Sequence, residues 1–338
     1  MISYLLRRIA ASVFVLVGVS VVIFTIARVI PGDPARIALG PAATPEAVAA
    51  LRQQLFLDQP YVVQYWRFAT GAVRGDLGPS LYTGRAVTTD LAQFLPATLE
   101  LVLVASVLMV VIGVPLGVVG AHFRNRWPDH VTRLIALLGV VAPSFVWAIL
   151  LVLAFSYSLD LMPVIGRISE DYSAPPRVTG LFSIDAALAG DMRLLKDVAW
   201  HLVLPGFALA LSGIGQAARL TRSNMSDSYA RDYIGLARAY GFHSGEIAWK
   251  YALRPAMIPT LTILGLDFAA KLGNAFLVET VFAWPGMARY GVNAIINKDL
   301  NAIIGTVLVI GLGFVVINLI IDMIVLILDP RIRYRAGV

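Results

Sequence analysis

Long apolar runs separated by shorter polar segments dominate this chain. Six of the runs are long enough to cross a membrane, because about 20 helical residues span the hydrocarbon core of a bilayer. They are residues 9–30, 98–121, 134–159, 198–220, 257–282 and 302–328. Lipid offers no hydrogen-bond partner to an exposed backbone, so each run is expected to be helical. The pattern predicts an all-α polytopic membrane protein with six transmembrane helices.

Proline lies inside several of these runs, including Pro115, Pro143 and Pro205. Proline removes a backbone donor, and its ring clashes with the preceding turn of a helix. We therefore expect kinks or breaks at these positions. Membrane helices tolerate them where neighbouring helices satisfy the freed carbonyl groups.

The basic residues predict the orientation of the chain in the membrane. With the N-terminus in the cytoplasm, the inside segments carry Arg7, Arg8, Arg124, Arg126, Arg133, Arg219, Arg222, Arg231, Arg238, Lys250, Arg254, Arg331, Arg333 and Arg335. On the other side, acidic residues balance or outnumber the basic ones; residues 160–197 contain four basic and six acidic side chains. Cytoplasmic loops are enriched in Lys and Arg. Both termini are therefore expected in the cytoplasm.

Composition narrows the class further. Hydrophobic residues make up 58% of the chain and charged residues 14%, against about 45–50% and about 25% in soluble proteins. The net charge of +6 is distributed at the ends of apolar runs, which fits membrane topology better than nucleic-acid binding. The absence of cysteine excludes disulfides, thiol catalysis and cysteine-based zinc sites.

The segment between the first two runs, residues 31–96, is too long for a bare connection and is expected to form a small helical insert. Thr44, Pro45 and Glu46 predict a helix that continues to about residue 55, since proline suits the first helical position and an acid suits the first turn. Residues 58–60 predict a second helix to about residue 73, and residues 75–78 a turn. The insert either receives a delivery protein or covers and stabilises the bundle.

Residues 229–259, which we call the elbow, form the longest charged, helix-compatible segment between two apolar runs. A helix can end after Tyr240 if Gly241 adopts the left-handed conformation. Ser244 can cap a second short helix with Glu246 in its first turn. Two short helices meeting at a glycine would suit a contact with a soluble partner. An ordinary positive-inside loop is the alternative interpretation.

Four polar residues in or near the fifth run are candidates for a translocation pathway: Asp267, Lys271, Asn274 and Glu279. Asp267 and Lys271 are four residues apart, so they share a helix face and can pair. Ionisable groups inside spans are costly, which favours a function. Internal ion pairs and interhelical hydrogen bonds are an equally good explanation, and Glu100 in the second run raises the same question.

Several chemistries lack their motifs. No G-x-x-x-x-G-K-[S/T] loop is present to bind ATP, and no H-E-x-x-H pair to bind zinc. We predict no catalytic residue, no metal site and no bound cofactor in this chain. Two other functions stay open at this point. One is a stand-alone ion-coupled secondary transporter using Asp267 and Lys271, and the other a membrane-embedded hydrolase, although residues 265–267 lack the G-x-G-D signature of aspartyl proteases.

The chain resembles the inner-membrane permease subunits of ATP-binding-cassette (ABC) importers, specifically the B-type subunit of the dipeptide and oligopeptide branch. The resemblance runs nearly end to end. Its segments include ARVIPGDPA from Ala27, TPEAVAALRQQL from Thr44, RGDLGPSLYTGRAV from Arg74, LPATLELVLVA from Leu95, HLVLPGFALAL from His201, LVETVFAWPGMARYGVNAI from Leu277 and DPRIRY from Asp329. PGDP alone could arise by chance, but so many segments in one order are specific.

The resemblance implies that the elbow contains the family's cytoplasmic coupling segment, the EAA loop, at residues 229–256. The general pattern, E-A-A-x-x-x-G followed by I-x-L-P, keeps its alanine, glycine and leucine at Ala237, Gly241 and Leu253. Gly235, Tyr251 and Arg254 replace its glutamate, isoleucine and proline. Residues 237–241 and 252–259 instead fit the peptide branch, A-R-A-x-G with A-L-R-x-A-x-I-P. The implied ATPase-coupling residues are Ala237, Arg238, Ala239, Gly241, Glu246 and Leu253.

The resemblance also implies a location and partners. The protein would be a multi-pass component of the bacterial inner membrane within a single permease domain of residues 1–338. Its partners would be a second, C-type permease, two ATP-binding subunits or domains that hold ATP and magnesium, an extracytoplasmic solute-binding protein and the lipid bilayer, with no nucleic acid. The branch carries dipeptides, oligopeptides, glutathione, nickel complexes or other small solutes, and no residue in the sequence selects among them.

Overall fold

The computed structural model describes residues 2–29, 33–40 and 42–328. Within this part of the chain the secondary structure is helical, apart from one isolated β-bridge between Pro79 and Ala86. The first helices are α1 (Ile2–Val29), α2 (Pro34–Leu39), α3 (Pro45–Gln54), α4 (Tyr61–Val73), α5 (Val87–Leu108), α6 (Val114–His122), α7 (Trp127–Val141) and α8 (Ser144–Leu151). The others are α9 (Phe182–Leu188), α10 (Met192–Tyr229), α11 (Asp232–Ala239), α12 (Ser244–Glu246), α13 (Leu253–Asn274), α14 (Phe276–Val281), α15 (Met287–Ile296) and α16 (Leu300–Leu328).

Three π-helical segments connect some of these helices directly. Residues Met109–Gly113 join α5 to α6, Val152–Ser158 extend α8, and Ile247–Ala252 join α12 to α13. Single π turns interrupt α-helices, frequently at functional sites. Two of the long membrane helices in the described chain therefore contain a π segment.

The described residues contain five helices long and apolar enough to cross a membrane, or six if the bent pair α7 and α8 counts as one span. This confirms the prediction of an all-α polytopic membrane protein. Several of the predicted spans were too short, including the second and the fourth. The helix around the second run begins at Val87 rather than 98, and α10 extends from Met192 to Tyr229 rather than 198 to 220. Polar residues continue these helices because they pair or lie at the ends of the spans.

Pro143 breaks the third span, as predicted. The chain bends by 103° between α7 and α8. The residue before the proline, Ala142, has an extended backbone (φ −96°, ψ 134°). Proline disfavours the helical conformation at the preceding residue, which ends α7 at Val141. At Pro205 the helix is not broken, because Pro205 lies inside the 38-residue α10. Pro115 follows the π segment that precedes α6.

The described chain forms two compact units, whose boundaries fall inside α5, between α14 and α15, and inside α16. In the unit of residues 99–284 and 316–328, α10 packs against α6, α7, α8 and α13. Gly113 and Gly117 allow α6 and the π segment before it to approach α10 closely. A Cβ at Gly117 would lie 2.5 Å from Cβ of Thr221, and one at Gly113 would lie 2.6 Å from Cβ of Ala217.

The other unit comprises residues 2–98 and 285–315. Its apolar core contains Val87, Leu91, Met287, Tyr290, Ala294, Ala302 and Ile303. Thr44 caps α3 by accepting a hydrogen bond from the Ala47 N–H, which confirms the first predicted insert helix. Helix α4 confirms the second, although Pro60 rather than Asp58 precedes it and gives no side-chain cap. Gly75 and Gly78 have φ near +80° in the predicted turn.

Candidate functional site

The elbow turns at Gly241 through a Schellman motif. The Phe242 N–H donates to the Ala237 carbonyl at 3.2 Å, and the Gly241 N–H donates to the Arg238 carbonyl at 3.0 Å. Gly241 has φ +77°, a left-handed conformation that glycine adopts without a Cβ clash. The predicted end of the first elbow helix is confirmed, and its last carbonyl groups are satisfied by the turn itself.

The second arm of the elbow differs from the prediction. Ser244 is the first helical residue rather than the cap, because the chain is already extended at His243 (φ −63°, ψ 144°), which gives no side-chain cap. The arm is also not a separate short helix. Residues Ser244–Asn274 form one continuous candidate span, because Ile247, Ala248 and Ala252 are buried and hold its first turns in place.

Helix α11 presents different side chains to the protein and to solvent. Ile234 and Ala237 are buried and lie on the face that packs against the π segment of residues 247–252. Tyr233, Leu236 and Tyr240 are exposed. They follow one another at intervals of three and four residues, so they share one face of the helix, about 100° around it from the buried pair. An exposed apolar face on a charged segment is typical of a protein contact.

The residues predicted for coupling differ in their exposure to solvent. Arg238, Ala239 and Gly241 are exposed, whereas Ala237 is buried. Glu246 and Leu253 are partly exposed, and Glu246 accepts a hydrogen bond from Lys250 Nζ at 3.2 Å.

Sequence reasoning missed Leu236 and Tyr240, whose side chains are among the most exposed apolar groups of the elbow. The signal was available in the sequence as apolar residues at helical spacing within a charged segment. That signal cannot show which of two apolar faces of a short helix is buried.

A cavity of about 690 Å³ lies beside the elbow. Arg124 and Arg126 line it from the loop after α6, and Arg238 lines it from α11. Among the described residues, no acidic side chain lines this cavity or pairs with these three arginines. On the same wall, His122 Nδ1 lies 3.4 Å from the Tyr229 hydroxyl. The lining of the cavity is therefore positively charged.

Asp129 fixes the loop that forms one wall of this cavity. Its carboxylate is fully buried and accepts hydrogen bonds from Arg222 Nε at 2.5 Å and Arg222 Nη2 at 2.9 Å. Arg133 Nη2 donates at 2.7 Å, and the Asn125 N–H at 2.9 Å. The basic residues of this cluster were predicted only as markers of topology. In the structure they tie α7, the preceding loop and α10 together.

The predicted pair in the fifth span is present. Lys271 Nζ donates to Asp267 Oδ2, and Lys271 is only 3% exposed. The ammonium also lies 3.9 Å from Met109 Sδ in the π segment of α5 and α6. Gly213 of α10 makes room for the pair, since a Cβ there would lie 2.7 Å from Lys271 Nζ and 2.9 Å from Asp267 Oδ2.

The two other predicted pathway residues lie elsewhere. Asn274 is the last residue of α13 and is exposed. The predicted span of residues 257–282 was wrong at its end, because the helix stops at Asn274 and a separate helix, α14, begins at Phe276. Glu279 belongs to α14 and is fully buried. The structure thus brings Asp267 and Lys271 together and places Glu279 on another element.

Glu100 takes part in an internal ion pair. It accepts a hydrogen bond from Arg167 Nη2 at 2.5 Å and one from the Ser183 N–H at 2.7 Å. The Arg167 guanidinium carbon lies 3.5 Å from the centroid of the Phe182 ring, and burial lowers the pKa of Arg167. For Glu100, these contacts favour the structural explanation over a translocation role.

Comparison with known proteins covers nearly the whole chain. Residues 113–334 match the family model "Binding-protein-dependent transport system inner membrane component", and residues 1–102 match the model of the N-terminal part of these membrane components. The Escherichia coli (strain K12) protein named "Probable D,D-dipeptide transport system permease protein DdpB" is 42% identical over 99% of this chain and 98% of its own length.

Two other relatives are similar over their full length. The dipeptide transport system permease protein DppB of Alkalihalophilus pseudofirmus is 38% identical over 99% of this chain and 100% of the relative. The glutathione transport system permease protein GsiC of Salmonella paratyphi A is 35% identical with the same coverage.

Proposed function

The chain belongs to the family of binding-protein-dependent transport system inner membrane components, and we propose that its elbow transmits work from separate ATPase subunits to the membrane spans. The protein is a multi-pass permease subunit of an ABC importer in the inner membrane. We propose dipeptides, oligopeptides or similar small solutes as its substrates, in keeping with the names of its relatives. ATP and magnesium would bind to the partner subunits.

The continuity of the elbow with the fifth span carries this proposal. A force on the exposed face of α11 acts on the π segment of residues 247–252 through the buried side chains of Ile234 and Ala237. That segment continues without interruption into α13. Asp267 lies 20 residues beyond Ile247, which is about 30 Å along a helix that rises 1.5 Å per residue. Movement at the elbow would therefore reach the buried ion pair.

The chemistry of the elbow suits an ATPase surface. Leu236 and Tyr240 offer apolar area, and Arg124, Arg126 and Arg238 line a cavity without acidic side chains among the described residues. A partner with an apolar cleft bordered by carboxylates would satisfy both. A segment biases a conformational equilibrium only through contacts that differ between the two states, so this contact must change when the ATPase subunits close.

The remaining parts of the proposal concern orientation and assembly. We propose that both termini and the elbow lie in the cytoplasm, as the distribution of Lys and Arg indicates. A second, C-type permease would complete the translocation pathway, and a solute-binding protein would deliver the substrate from outside. Asp267 and Lys271 are proposed to line this pathway, since a buried charged pair inside a span is costly and often functional.

Reconstitution of the complete importer tests the proposal. The purified chain alone should hydrolyse no ATP, whereas the assembled complex should hydrolyse ATP and take up substrate. Depletion of ATP should stop uptake, and a protonophore should not. If uptake continued without ATP and collapsed with the protonophore, the chain would be an ion-coupled transporter and the coupling role of the elbow would be wrong.

A further inference from the structure

Helix α4 of the insert has apolar side chains on two different faces. On one side, Tyr65 and Phe68 pack against α1, with ring centroids 5.4 Å and 6.1 Å from that of Phe24. The same two side chains contact a cluster that includes Leu300 and Ile304 of α16. All of these residues belong to the unit of residues 2–98 and 285–315. Helix α4 is therefore held directly against two membrane spans.

The level of this contact in the membrane follows from the residues involved. The candidate span in α1 extends from Leu6 to Ile26. The Tyr65 hydroxyl lies 2.9 Å from Ser20 Oγ, and Ser20 is six residues before the end of that span, about 9 Å along the helix. On α16 the contact involves Leu300 and Ile304, in the first two turns of the span Leu300–Ile327. Helix α4 thus lies level with the last turns of the span in α1 and the first turns of the span in α16.

A second face of α4, about 110° around the helix from Tyr65 and Phe68, is exposed and apolar at this same level. Val62 is 80% exposed, Trp66 69% and Val73 91%. At 100° per residue these three positions fall within about 40° of one another around the helix. The only charged residue of α4, Arg67, is directed away from this stripe, with its guanidinium carbon 3.8 Å from the centroid of the Phe56 ring.

We propose that α4 is an interfacial helix, with Val62, Trp66 and Val73 embedded in the boundary between lipid headgroups and acyl chains. Val22 and Ile26 of α1 are exposed at the same level, so this span presents a lipid-facing surface at the depth of the stripe. Interfacial helices lie in the membrane plane with an apolar face buried about 5–10 Å deep, and tryptophan is enriched at this depth. The occupant of the stripe is the bilayer.

This position gives the insert a second anchor besides the chain connection to α1. Helix α4 would hold the rest of the insert, including the turn at residues 75–78, at a fixed height above the membrane. Its placement depends only on the membrane spans and not on the direction of transport or on the coupling role of the elbow.

The absence of cysteine from the chain makes a direct test simple. Val62→Cys, Trp66→Cys and Val73→Cys are each labelled with a nitroxide in the complete importer, reconstituted into nanodiscs of phosphatidylethanolamine and phosphatidylglycerol. Gln53→Cys serves as the matched control, because Gln53 is exposed on the neighbouring helix α3, which has no buried residue. Power-saturation EPR then measures collisions with oxygen, which partitions into lipid, and with a water-soluble nickel chelate.

At positions 62, 66 and 73 we expect the ratio of oxygen to nickel accessibility to exceed that at position 53 several-fold. Equal ratios at all four positions would overturn the proposal, because the stripe would then face water. The solute-binding protein provides a second comparison. If nickel reaches positions 62 and 66 in its absence and is excluded on its addition, the stripe is a protein-docking surface and the lipid assignment is wrong.

Discussion

Arg222 of α10 binds Asp129 of α7 through two hydrogen bonds, from Nε to Oδ1 at 2.5 Å and from Nη2 to Oδ2 at 2.9 Å. Asp129 is fully buried and Arg222 mostly so, whereas the second partner, Arg133, is 47% exposed. Removing one member of a buried pair leaves an uncompensated charge. Arg222 should therefore contribute more than Arg133 to the stability of the folded protein.

We expect Arg222→Gln to destabilise the protein by about 3 kcal/mol, the usual cost of breaking a buried pair. Arg133→Gln should cost less than about 1 kcal/mol, as is usual for a solvent-exposed ion pair. Thermal unfolding of the two variants in the same detergent measures the difference. Equal melting temperatures would show that Arg222 does not fix the loop beside the cavity.

Gly241 should tolerate no β-branched residue without loss of coupling. Its φ of +77° is strained for other residues, by about 1–2 kcal/mol, and nothing lies within 4 Å of a Cβ there, so the effect is on the backbone turn. We expect Gly241→Val to insert normally and to hydrolyse more ATP per substrate imported than the wild type.

Gly235→Val is the control for this prediction, since Gly235 also has open space around a Cβ but ordinary helical geometry. Valine has a somewhat higher helix propensity than glycine, so this variant should couple normally. The measurement is the ratio of ATP hydrolysed to substrate taken up in proteoliposomes. An unchanged ratio in Gly241→Val would refute the coupling assignment of the turn.

Leu236→Asp should weaken assembly with the ATPase subunits. An apolar anchor at the centre of an interface contributes about 2 kcal/mol, which corresponds to about a thirtyfold loss of affinity. Ile295→Asp in α15 is a matched control, because Ile295 and Leu236 are both 58% exposed. Binding of the purified ATPase subunits to each variant in nanodiscs gives the two affinities. A similar loss in both variants would mean that the effect is not specific to the elbow.

The pair of Asp267 and Lys271 can be tested with a double-mutant cycle. Either Asp267→Asn or Lys271→Met leaves the other charge unpaired inside the span, so each should destabilise the protein by about 3 kcal/mol. The double variant should regain most of this stability but should not regain uptake, if the pair lines the pathway. Full recovery of both stability and uptake would make the pair purely structural.

The stability that Asp185 contributes to the segment before α10 is expected to depend on pH. Burial alone would raise the pKa of Asp185, but hydrogen bonds from Thr179 and the Gly180 N–H outweigh it, so that the pKa lies below its ordinary value. A carboxyl with a lowered pKa in the folded state stabilises the protein above its unfolded pKa, and this contribution is lost as the pH falls through the folded value.

A comparison of the wild type with Asp185→Asn tests whether this stabilisation is lost as the pH falls. The wild type should have the higher melting temperature at neutral pH, and the difference should shrink from about pH 5 downward as the carboxylate is protonated. A difference that stayed constant down to pH 3 would show that the hydrogen bonds, and not the charge, stabilise the segment.

The sequence predicted the elements whose cause is local. Hydropathy identified the spans, Pro143 predicted the break between α7 and α8, and Thr44 predicted the start of α3. Gly241 predicted the end of α11 because a single left-handed residue determines that turn. In each case one residue or one short sequence pattern is sufficient to predict the structural feature.

Features that depend on tertiary packing were either not predicted from the sequence or were assigned to the wrong residue or helix. Ser244 resembles a cap, but the chain direction set at His243 makes it the first helical residue. Glu279 was assigned to the fifth span, which ends earlier, at Asn274. The ion pair of Arg222 and Asp129 joins residues 93 positions apart in the sequence, so no local sequence pattern can predict it.

The unbroken helix from Ser244 to Asn274 acts as a lever arm. Ser244 and Asp267 are separated by 23 residues, or about 35 Å of helix, so a tilt of about 5° pivoting at one end displaces the other by about 3 Å. That displacement is comparable to the length of a hydrogen bond. A small rotation of the elbow is therefore sufficient to make or break a polar contact deep in the membrane, without bending the helix that connects them.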